Sequence, residues 1–296
     1  MVQPLTASGR GKTGRPRIAF QGEPGAFSEE AALAAFADPD PVAVPTWRSI
    51  FESVTDGSVA SGVVAIENSL AGSIRETYDL LAEFELRIVA AVSIPVRLAL
   101  LALPGQSLAD IDRVYSHAQA LAQADEFLRG RDWQVLTTYN TAGAARTIAD
   151  RAERRAAAIA SPRVAKLYGL EVLAAEVQTG DANRTRFAVL ARDELEPGTL
   201  RPELVAPGLP RMTTLVFAVR NVPGSLHRCL GAFASRGVNL SRLESRPNRA
   251  ARWEYVFWVD VDADVVDPSC AAALADLASE AAMVRVLGSY ARPLES

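Results

Sequence analysis

The most informative stretch of this sequence, residues 180–190, reads Gly-Asp-Ala-Asn-Arg-Thr-Arg-Phe-Ala-Val-Leu. A polar run at 183–186 leads directly into the apolar segment 187–190, which is typical of a buried strand. Polar groups at the entrance of such a strand are costly unless they are hydrogen-bonded. A hydroxyl beside a guanidinium can bind an oxyanion and a leaving hydroxyl together. A strand cap with a surface arginine explains the same residues, and the stretch alone does not choose between the two interpretations.

The length and composition indicate a globular protein with room for two domains. The chain has 296 residues, of which 49% are hydrophobic and 22% charged, and these fractions exclude a disordered chain. The formal net charge of −4 argues against nucleic acid as the main partner. Lys12 and Lys166 are the only lysines, so nearly all positive charge is arginine. Arginine suits carboxylate recognition, although a genomic codon bias gives the same excess.

Cysteines and histidines are too few for a disulfide framework or a histidine-based metal centre. Cys229 and Cys270 each lie in helix-like sequence and are predicted to be core thiols. His117 and His227 are the only histidines in the chain. We therefore expect no metal site.

No segment has the pattern of a signal peptide or a membrane span. Residues 1–16 are rich in Gly, Arg, Thr and Ser and are predicted to form a disordered tail. The most apolar region, residues 88–103, is interrupted by Pro95 and Arg97, so we expect no membrane-spanning helix. We expect a cytoplasmic location with no membrane partner.

Strands and helices alternate between residues 17 and 194, which predicts an α/β domain with a mostly parallel sheet. Apolar runs with the character of buried strands lie at residues 17–21, 63–66, 87–92, 114–115 and 156–160. Ser73 to Glu76 and Ser116 to Gln119 fit capping boxes that would open helices. Thr141 is a suitable start for a further helix.

The pattern changes after a segment rich in proline and glycine, residues 195–211, which we interpret as a linker. Residues 212–292 then read as strand, helix, strand, strand, helix and strand. This βαββαβ order predicts a small α+β domain of the ferredoxin-like type.

Four polar clusters stand next to strands of the first domain. They are Glu67-Asn68-Ser69, Ser116-His117-Ala118-Gln119, Thr141-Ala142-Gly143-Ala144 and Thr185-Arg186-Phe187. Taken singly, each has a structural explanation: Asn68 and Ser69 can form a turn, and Ser116 can cap a helix. Ligands of such folds bind in the crevice at the strand ends. The shared placement of the clusters therefore favours one common site.

These clusters, together with a glycine-rich loop, resemble the prephenate dehydratase family over roughly residues 17–292. The segments that carry the resemblance are Gly22-Glu23-Pro24-Gly25-Ala26-Phe27-Ser28, Ile66-Glu67-Asn68-Ser69, Tyr115-Ser116-His117-Ala118-Gln119-Ala120-Leu121, Thr141-Ala142-Gly143-Ala144-Ala145 and Thr185-Arg186-Phe187. The C-terminal domain resembles the ACT regulatory module of the same enzymes. Its matching segments are Pro223-Gly224-Ser225-Leu226 and Glu244-Ser245-Arg246-Pro247.

The resemblance implies a two-lobed, periplasmic-binding-protein-like catalytic domain with the cleft between its lobes. The lobes would comprise residues 17–94 with 185–194, and residues 95–184, and segments near 94–97 and 185–190 would cross between them. The family reaction converts prephenate to phenylpyruvate in L-phenylalanine biosynthesis, with loss of carbon dioxide and the ring hydroxyl. It implies no redox or metal cofactor.

The resemblance also implies residue roles. Thr185 is the expected catalytic residue and assists departure of the hydroxyl, Arg186 holds a carboxylate, and Phe187 packs the cleft floor. The proton would come from water, His117 or Glu67, and the sequence leaves that choice open. The expected substrate-binding residues are Glu67, Asn68, Ser69, Ser116, His117, Gln119, Thr141 and Ala142.

The C-terminal domain is expected to bind L-phenylalanine as an allosteric effector at a subunit interface of a homodimer or homotetramer. The expected effector-binding residues are Gly224, Ser225, Leu226, Asn239, Leu240, Glu244, Ser245, Arg246 and Pro247. Two positions depart from the family pattern. Ala118 replaces the usual proline after the histidine, and Ser225 replaces the usual alanine, which leaves the effector response open.

Two alternatives remain. An arogenate dehydratase performs the same chemistry on an amino-bearing side chain, which none of these motifs addresses. A non-catalytic small-molecule-binding protein with an amino-acid sensor has the same architecture, and the intact Thr185-Arg186-Phe187 argues against it.

Overall fold

The computed structural model describes residues 14–180, 182–247 and 255–293, and its strands form three sheets. The strands are β1 (Arg17–Gln21), β2 (Asp40–Val44), β3 (Ser61–Asn68), β4 (Gly72–Ser73), β5 (Arg87–Pro95), β6 (Ala99–Ala102), β7 (Arg113–His117), β8 (Gln134–Thr138), β9 (Ala156–Ala160), β10 (Glu171–Ala174), β11 (Arg184–Ala191), β12 (Arg211–Ala218), β13 (Leu240–Pro247), β14 (Tyr255–Val261) and β15 (Met283–Ala291). Most of the predicted tail, residues 1–13, lies outside the described residues.

The helices cover the faces of these sheets. They are α1 (Phe27–Ala35), α2 (Trp47–Asp56), α3 (Arg75–Glu83), α4 (Ala118–Gln123), α5 (Asp125–Leu128), α6 (Thr141–Arg151), α7 (Arg163–Tyr168), α8 (Ser225–Ala234) and α9 (Pro268–Glu280). Within the described ranges, every helix is too short or too polar to cross a membrane.

The first lobe contains β1 to β5, β11 and helices α1 to α3. Its sheet has the order β2-β1-β3-β11-β5, with β4 beside β3. Strand β1 pairs in parallel with β2 and β3, whereas β11 pairs antiparallel with both β3 and β5. In this order β2, β1, β3 and β5 all run in the same direction and β11 runs opposite to them, so the sheet is mostly parallel, as predicted. Strand β11 is reversed because the chain returns from the second lobe through it and enters the sheet in the opposite direction.

The second lobe contains β6 to β10 and helices α4 to α7, with the strand order β10-β6-β9-β7-β8. Its central strand β9 reads Ala-Ala-Ala-Ile-Ala and is buried throughout. The small side chains of β9 pack with Ala142, Ala145 and Ile148 of α6 in one apolar cluster. Small residues on both partners let the helix lie close to the sheet.

The chain crosses between the lobes twice, and the two crossing segments are hydrogen-bonded to each other. The backbone N–H of Val96 donates to the carbonyl of Asn183 at 2.8 Å. The backbone N–H of Val177 donates to the carbonyl of Leu98 at 2.9 Å. These paired segments place the start of β11, and Thr185 with it, at the hinge between the lobes.

The C-terminal domain contains β12 to β15, α8 and α9, and its sheet has the order β13-β14-β12-β15. This is the predicted βαββαβ arrangement. One face of the sheet is covered by α8 and α9, around Phe217 and Phe233. The opposite face packs on the first lobe in a single apolar cluster that includes Trp258 and Tyr290. The C-terminal domain and the first lobe thus share a core.

Two helix starts differ from the predicted capping boxes because tertiary partners compete for the serines. Ser73 lies in the short strand β4, and its hydroxyl binds the C-terminal domain instead of capping α3. Ser116 is buried and donates to the carbonyl of Ile159 at 2.6 Å. His117 caps α4 in its place, since its Nδ1 accepts from the backbone N–H of Gln119 at 3.3 Å.

A glycine on β15 permits the close approach of the C-terminal domain to the first lobe. A methyl group at Gly288 would lie 1.9 Å from the carbonyl oxygen of Ile88 on β5. We expect Gly288→Ala to lower the free energy of unfolding by about 1–3 kcal/mol, because overpacking displaces the backbone. Chemical denaturation measures this loss.

Gly231→Ala is the matched control. Gly231 lies within α8, and a methyl group there meets nothing within 4 Å. Alanine favours the helix, so this variant should be as stable as the wild type or up to about 1 kcal/mol more stable. Equal stability of the two variants would contradict a tight contact between β15 and β5.

Candidate active site

A cavity of about 350 Å³ lies between the two lobes, and residues of both lobes line it. Its lining consists of Gln21, Gly22, Ala26, Phe27, Ser28, Trp47, Asn68, Ile74, Val96, Leu98, His117, Gln119, Ala120, Gln123, Tyr139, Asn140, Thr141 and Thr185. Of the predicted site residues, the structure therefore brings Asn68, His117, Gln119, Thr141 and Thr185 together.

Helix N-termini surround this cleft. The first residues of α1, α2 and α6, which are Phe27, Trp47 and Thr141, all belong to its lining, as does His117 at the N-cap of α4. The lining includes no lysine, arginine, aspartate or glutamate among the described residues. Helix N-termini carry partial positive charge and unpaired N–H groups, so they attract anions. The cleft can thus bind carboxylates without a cationic side chain.

Thr185 is held by a buried hydrogen bond at the cleft surface. The side-chain nitrogen Nδ2 of Asn68 lies 3.0 Å from Thr185 Oγ1. Because the amide nitrogen has no acceptor capacity, Asn68 donates and the threonine oxygen accepts. The hydroxyl proton of Thr185 therefore remains available to a ligand in the cleft.

Asn68 joins the end of β3 and the turn after it to the returning segment of the chain. Its Nδ2 also lies 2.8 Å from Oδ1 of the buried Asn183. Its Oδ1 accepts from the backbone N–H groups of Leu70 and Ala71 at 3.1 and 2.9 Å. Both ends of the amide are thus satisfied, which fixes the orientation of the donor toward Thr185. Sequence reasoning did not assign Asn183 a role, although its place in the polar run at 183–186 was a usable signal.

The second lobe contributes Gln119 and His117 from the start of α4. Gln119 Nε2 lies 3.5 Å from Asn68 Oδ1 and reaches across the cleft. His117 Nδ1 accepts the backbone N–H of Gln119, so a neutral imidazole carries its proton on Nε2. The Nε2–H of a neutral His117 can consequently donate a hydrogen bond to a ligand in the cleft.

Helix α6 presents its N-terminus to the cleft. Thr141 is its first residue, and the N-cap is Asn140, whose side-chain oxygen accepts from the backbone N–H of Gly143. The Nδ2 group of Asn140 is buried and has no partner within the described part of the chain. Ala142 is buried in the core beneath the helix and does not line the cleft. The predicted role of this turn therefore falls on Thr141 and the unassigned Asn140.

Arg186 does not reach the cleft. Successive residues of a strand point to opposite faces, so Arg186 leaves the sheet on the side away from Thr185. Its Nη1 lies 3.3 Å from Asp260 Oδ2 in the C-terminal domain and 3.6 Å from Glu67 Oε2. This geometry contradicts the predicted roles of Arg186 as a substrate anchor and of Glu67 as a proton source.

Three further predicted residues support the cleft from behind. Phe187 is buried in the apolar cluster that also includes Phe27 and Trp47 of the cleft lining. Ser69 Oγ donates to the carbonyl of Ala182 at 3.0 Å and so ties the turn after β3 to the returning chain. Ser116, which binds the carbonyl of Ile159, is buried as well. These side chains are structural: all three lie outside the cleft lining, and Phe187 packs next to two residues that belong to it.

The loop before α1 contacts the second lobe. Glu23 accepts hydrogen bonds from the Tyr139 hydroxyl at 2.7 Å and from Arg146 at 2.8 Å. Burial, followed by the hydrogen bond to Glu23, raises the pKa of Tyr139 above its ordinary value, so its hydroxyl stays a donor. Glu29 of α1 forms a further ion pair with Arg163 at 3.2 Å. These contacts hold the lobes together beside the cleft, and sequence reasoning assigned none of them.

The predicted effector residues fall into separate groups within one chain. Gly224, Ser225 and Leu226 line a cavity of about 350 Å³ with Tyr255 and Phe257. Along β13 the side chains alternate, so Ser245 and Pro247 are exposed while Glu244 and Arg246 face the first lobe. Those two contact Ser73 and Asp79, respectively, and Asn239 binds Asp262. Leu240 begins β13 and packs against the domain core.

In the described ranges, histidine, cysteine, aspartate and glutamate side chains form no group of three or more that could hold a metal ion.

A cleft between two α/β lobes, joined to a βαββαβ domain, defines the class of two-lobed cleft proteins that carry a small α+β domain. Comparison with known families makes the assignment specific. The family model of prephenate dehydratase matches residues 18–195, and that of the ACT domain matches residues 213–279. The chain belongs to the prephenate dehydratase family, and the predicted family and fold class are confirmed.

Relatives of known name are similar over most of the chain. Arogenate dehydratase/prephenate dehydratase 1, chloroplastic, of Arabidopsis thaliana is 38% identical over 308 residues, covering 98% of this chain and 76% of the relative. Arogenate dehydratase 2 of Petunia hybrida is 39% identical over 290 residues, covering 93% and 72%.

Two solved structures have the same overall fold. Prephenate dehydratase from Arthrobacter aurescens in complex with L-Phe has a TM-score of 0.82 and 32% identity, covering 93% of this chain and 90% of its own. A protein described as a novel type of quorum-quenching acylase also has a TM-score of 0.82, with 36% identity, covering 93% and 97%.

The hydrogen bonds of Asn68 generate a stability prediction. In Asn68→Asp, a carboxylate oxygen replaces Nδ2 and faces acceptor oxygens of Asn183 and Thr185. We expect the free energy of unfolding to fall by about 1–3 kcal/mol, the cost of leaving buried polar groups unsatisfied. Urea denaturation at neutral pH measures it. Gln134→Glu makes the same change at an exposed position of β8, and equal stability of both variants would contradict the assignment.

Proposed function

We propose that this chain is a hydro-lyase that converts prephenate to phenylpyruvate in L-phenylalanine biosynthesis. The observation that carries the proposal is the Asn68–Thr185 hydrogen bond, which presents a threonine hydroxyl to a cleft ringed by helix N-termini. Membership of the prephenate dehydratase family supports the reaction class.

The reaction requires few chemical groups of the protein. The bond between the ring and its carboxylate breaks, and that carboxylate leaves as carbon dioxide. The released electron pair completes the aromatic ring while the bond to the ring hydroxyl breaks. The hydroxide takes up one proton and leaves as water. Because aromatisation drives the reaction, the protein has to hold two carboxylates, orient the leaving hydroxyl and supply that proton.

Thr185 is suited to act on the leaving hydroxyl. Its oxygen already accepts a hydrogen bond from Asn68, so its own O–H points to another acceptor, and the departing hydroxyl is the acceptor in our proposal. A fixed donor of this kind stabilises charge that develops as the bond breaks. A threonine hydroxyl is a weak acid, so another group replaces its proton. His117 and water remain the candidates, since Glu67 faces away from the cleft.

The carboxylates of the substrate are assigned to the helix N-termini. The start of α6, with Thr141 and the unpartnered Nδ2 of Asn140, offers donors from the second lobe. The start of α1, with Ser28, offers donors from the first lobe. A substrate that bridges both ends would favour closure of the lobes around it.

The cleft lining favours prephenate over arogenate. Arogenate carries an ammonium group where prephenate carries a ketone. Within the described residues, the lining holds no aspartate or glutamate to pair with an ammonium, and an unpaired buried cation is costly. A ketone needs only a hydrogen-bond donor, which Gln119 or Asn140 supplies.

The cleft gives less support to two other roles, which are ligand binding without catalysis and acylase activity. A purely binding role leaves the fixed orientation of the Thr185 hydroxyl unexplained. An acylase, the activity that the description of one neighbour gives, needs an activated nucleophile. In the described part of the chain, no hydrogen bond joins His117 to a serine, threonine or cysteine side chain.

We also propose that L-phenylalanine binds the C-terminal domain at the cavity beside Gly224 to Leu226. Support comes from the ACT family match and from the related structure that contains L-Phe. Exposed apolar side chains near this cavity and on β13, among them Val222, Leu243 and Tyr255, favour self-association into a dimer or tetramer. The cytoplasmic location stays a prediction from the sequence.

Removal of the Thr185 hydroxyl tests the catalytic proposal. We expect Thr185→Val to lower kcat on prephenate about a hundred- to ten-thousand-fold, the usual contribution of a general acid. Thr185→Ser keeps the hydroxyl and should retain most of the activity. Phenylpyruvate formation measures the activity of both variants. In parallel assays, the wild type should have a lower kcat/KM on arogenate than on prephenate. Wild-type turnover by Thr185→Val would contradict the role.

Ser225 tests the effector proposal. Its hydroxyl is buried and unpartnered in the described structure, at the first turn of α8. We expect L-phenylalanine to raise the Tm of the wild type by binding the folded state. Ser225→Ala should weaken binding about five-fold, as loss of one hydrogen bond worth about 1 kcal/mol predicts. Calorimetric titration measures this, with Ser235→Ala at the exposed end of α8 as control. Absence of binding to the wild type would leave the domain a purely oligomeric role.

A further inference from the structure

A cluster of charged side chains lies on the face of the first-lobe sheet opposite the cleft, where the C-terminal domain packs. We call it the back-face cluster, and its members are Glu67, Arg186, Arg242, Glu244 and Asp260. Arg186 Nη1 lies 3.3 Å from Asp260 Oδ2 and 3.6 Å from Glu67 Oε2. Arg242 connects to Glu67 at 4.0 Å and to Glu244 at 2.7 Å. The cluster therefore links two strands of the first lobe with two strands of the C-terminal domain.

The pairing of β3 with β11 places this cluster directly behind Asn68 and Thr185, on the other face of the sheet. Thr185 is paired with Asn68, and the next residues along the strands, Arg186 and Glu67, are paired with each other. Since neighbouring residues point to opposite faces, one pair faces the cleft and the other faces the C-terminal domain. If the Arg186 side chain is displaced, the backbone next to Thr185 is displaced with it.

Asp260 is a rigid partner for Arg186. Its side chain is only 4% exposed, and its Oδ1 accepts from the Thr214 hydroxyl at 2.7 Å. The Thr214 oxygen lies 2.7 Å from the hydroxyl of the fully buried Tyr290. Burial, together with the neighbouring Asp260 carboxylate, raises the pKa of Tyr290, so it stays neutral and hydrogen-bonded. The carboxylate is thus fixed to the core of the C-terminal domain.

The remaining members hold β3 to the same domain. The Arg242 guanidinium lies over the ring of Tyr78 on α3, 4.7 Å from its centroid, and also contacts the Tyr78 hydroxyl. Its Nη2 donates to Ser73 Oγ on β4, which pairs with Glu67 of β3. Contacts made by the C-terminal domain therefore restrain both β3 and β11, the strands that carry Asn68 and Thr185.

A buried carboxylate needs a partner of opposite charge, and in the described structure the cation within ion-pair distance of Asp260 is Arg186. This pair crosses the domain boundary. Burial of the Arg186–Asp260 pair costs free energy, and the pair lies directly behind Thr185. Both facts indicate that it does more than attach the C-terminal domain to the first lobe.

We propose that Asp260 and Arg186 are positioning residues for the reaction: by pairing across the domain boundary, they hold β11 in the register and orientation that aim the Thr185 hydroxyl into the cleft. The catalytic strand is then set by the C-terminal domain as well as by its own sheet. The kinetic part of this proposal rests on the proposed dehydratase activity, whereas its structural part does not.

The experiment compares Arg186→Gln, Asp260→Asn and the double variant in the full-length protein. Amide hydrogen exchange reports local opening of β11 and β3 whatever the substrate is. We expect exchange at residues 184–187 and 67–69 to be at least threefold faster in each single variant. On prephenate, each should lower kcat about tenfold with KM changed less than twofold. The double variant should resemble the single ones, because both substitutions remove one interaction.

Arg186→Lys keeps the charge and should restore at least a third of wild-type kcat. The control pair is Arg236→Gln and Asp276→Asn, which makes the same substitutions in an exposed ion pair of the C-terminal domain, 2.7 Å long. These controls should leave exchange at β11 and kcat unchanged.

The outcomes are distinct. Unchanged exchange at 184–187 in folded Arg186→Gln and Asp260→Asn overturns the proposal, and so does a loss of Tm with kcat within twofold of wild type. Independent losses that multiply in the double variant also overturn it. A wild-type protein that fails to convert prephenate refutes the proposed activity instead, and the exchange measurement then still decides whether the pair positions β11.

Discussion

Strand β11 is hydrogen-bonded on both sides, to β3 and to β5, and this double pairing sets the geometry of the whole molecule. The strand is the returning segment of the chain, so its first residues form the hinge and its later residues form an interior strand of a sheet. Its pairing with β3 fixes Thr185 beside Asn68 on one face. The same pairing fixes Arg186 beside Glu67 on the other. One register thus defines both the cleft surface and the surface that meets the C-terminal domain.

The absence of cationic side chains from the described cleft lining has a chemical consequence. An arginine bound to the departing carboxylate would stabilise the charged ground state, which that group loses when it leaves as carbon dioxide. Only interactions that strengthen toward the transition state accelerate a reaction. Neutral donors at helix N-termini bind a carboxylate with less ground-state stabilisation, and they are fixed in place by the helices. The cleft is therefore better adapted to decarboxylation than the predicted Arg186 anchor would have made it.

The sequence supported the family, the two-lobed fold and the place of Thr185, because these depend on local motifs and on element order. It failed for Arg186 and Glu67, because their direction depends on strand pairing that residues distant in the chain create. Ser73 and Ser116 fitted capping boxes but found stronger partners on β13 and β9. No local sequence pattern marked Asn140 and Tyr139 as site residues, because they line a site only when the two lobes face each other across the cleft. Local patterns thus indicated segments that line the cleft, and long-range pairing determined which of their side chains face it.

The C-terminal domain and the cleft lie on opposite faces of the first-lobe sheet. The contacts described for that domain, through residues such as Arg242, Arg246 and Arg285, reach β4, α3 and the segment before β5. A ligand bound to the C-terminal domain therefore has no direct path to obstruct the cleft. Within one chain, an effect on the reaction would pass through the sheet or through the hinge, and β11 belongs to both. A ligand that shifts the C-terminal sheet unequally between two states would act on Thr185 through its neighbour Arg186.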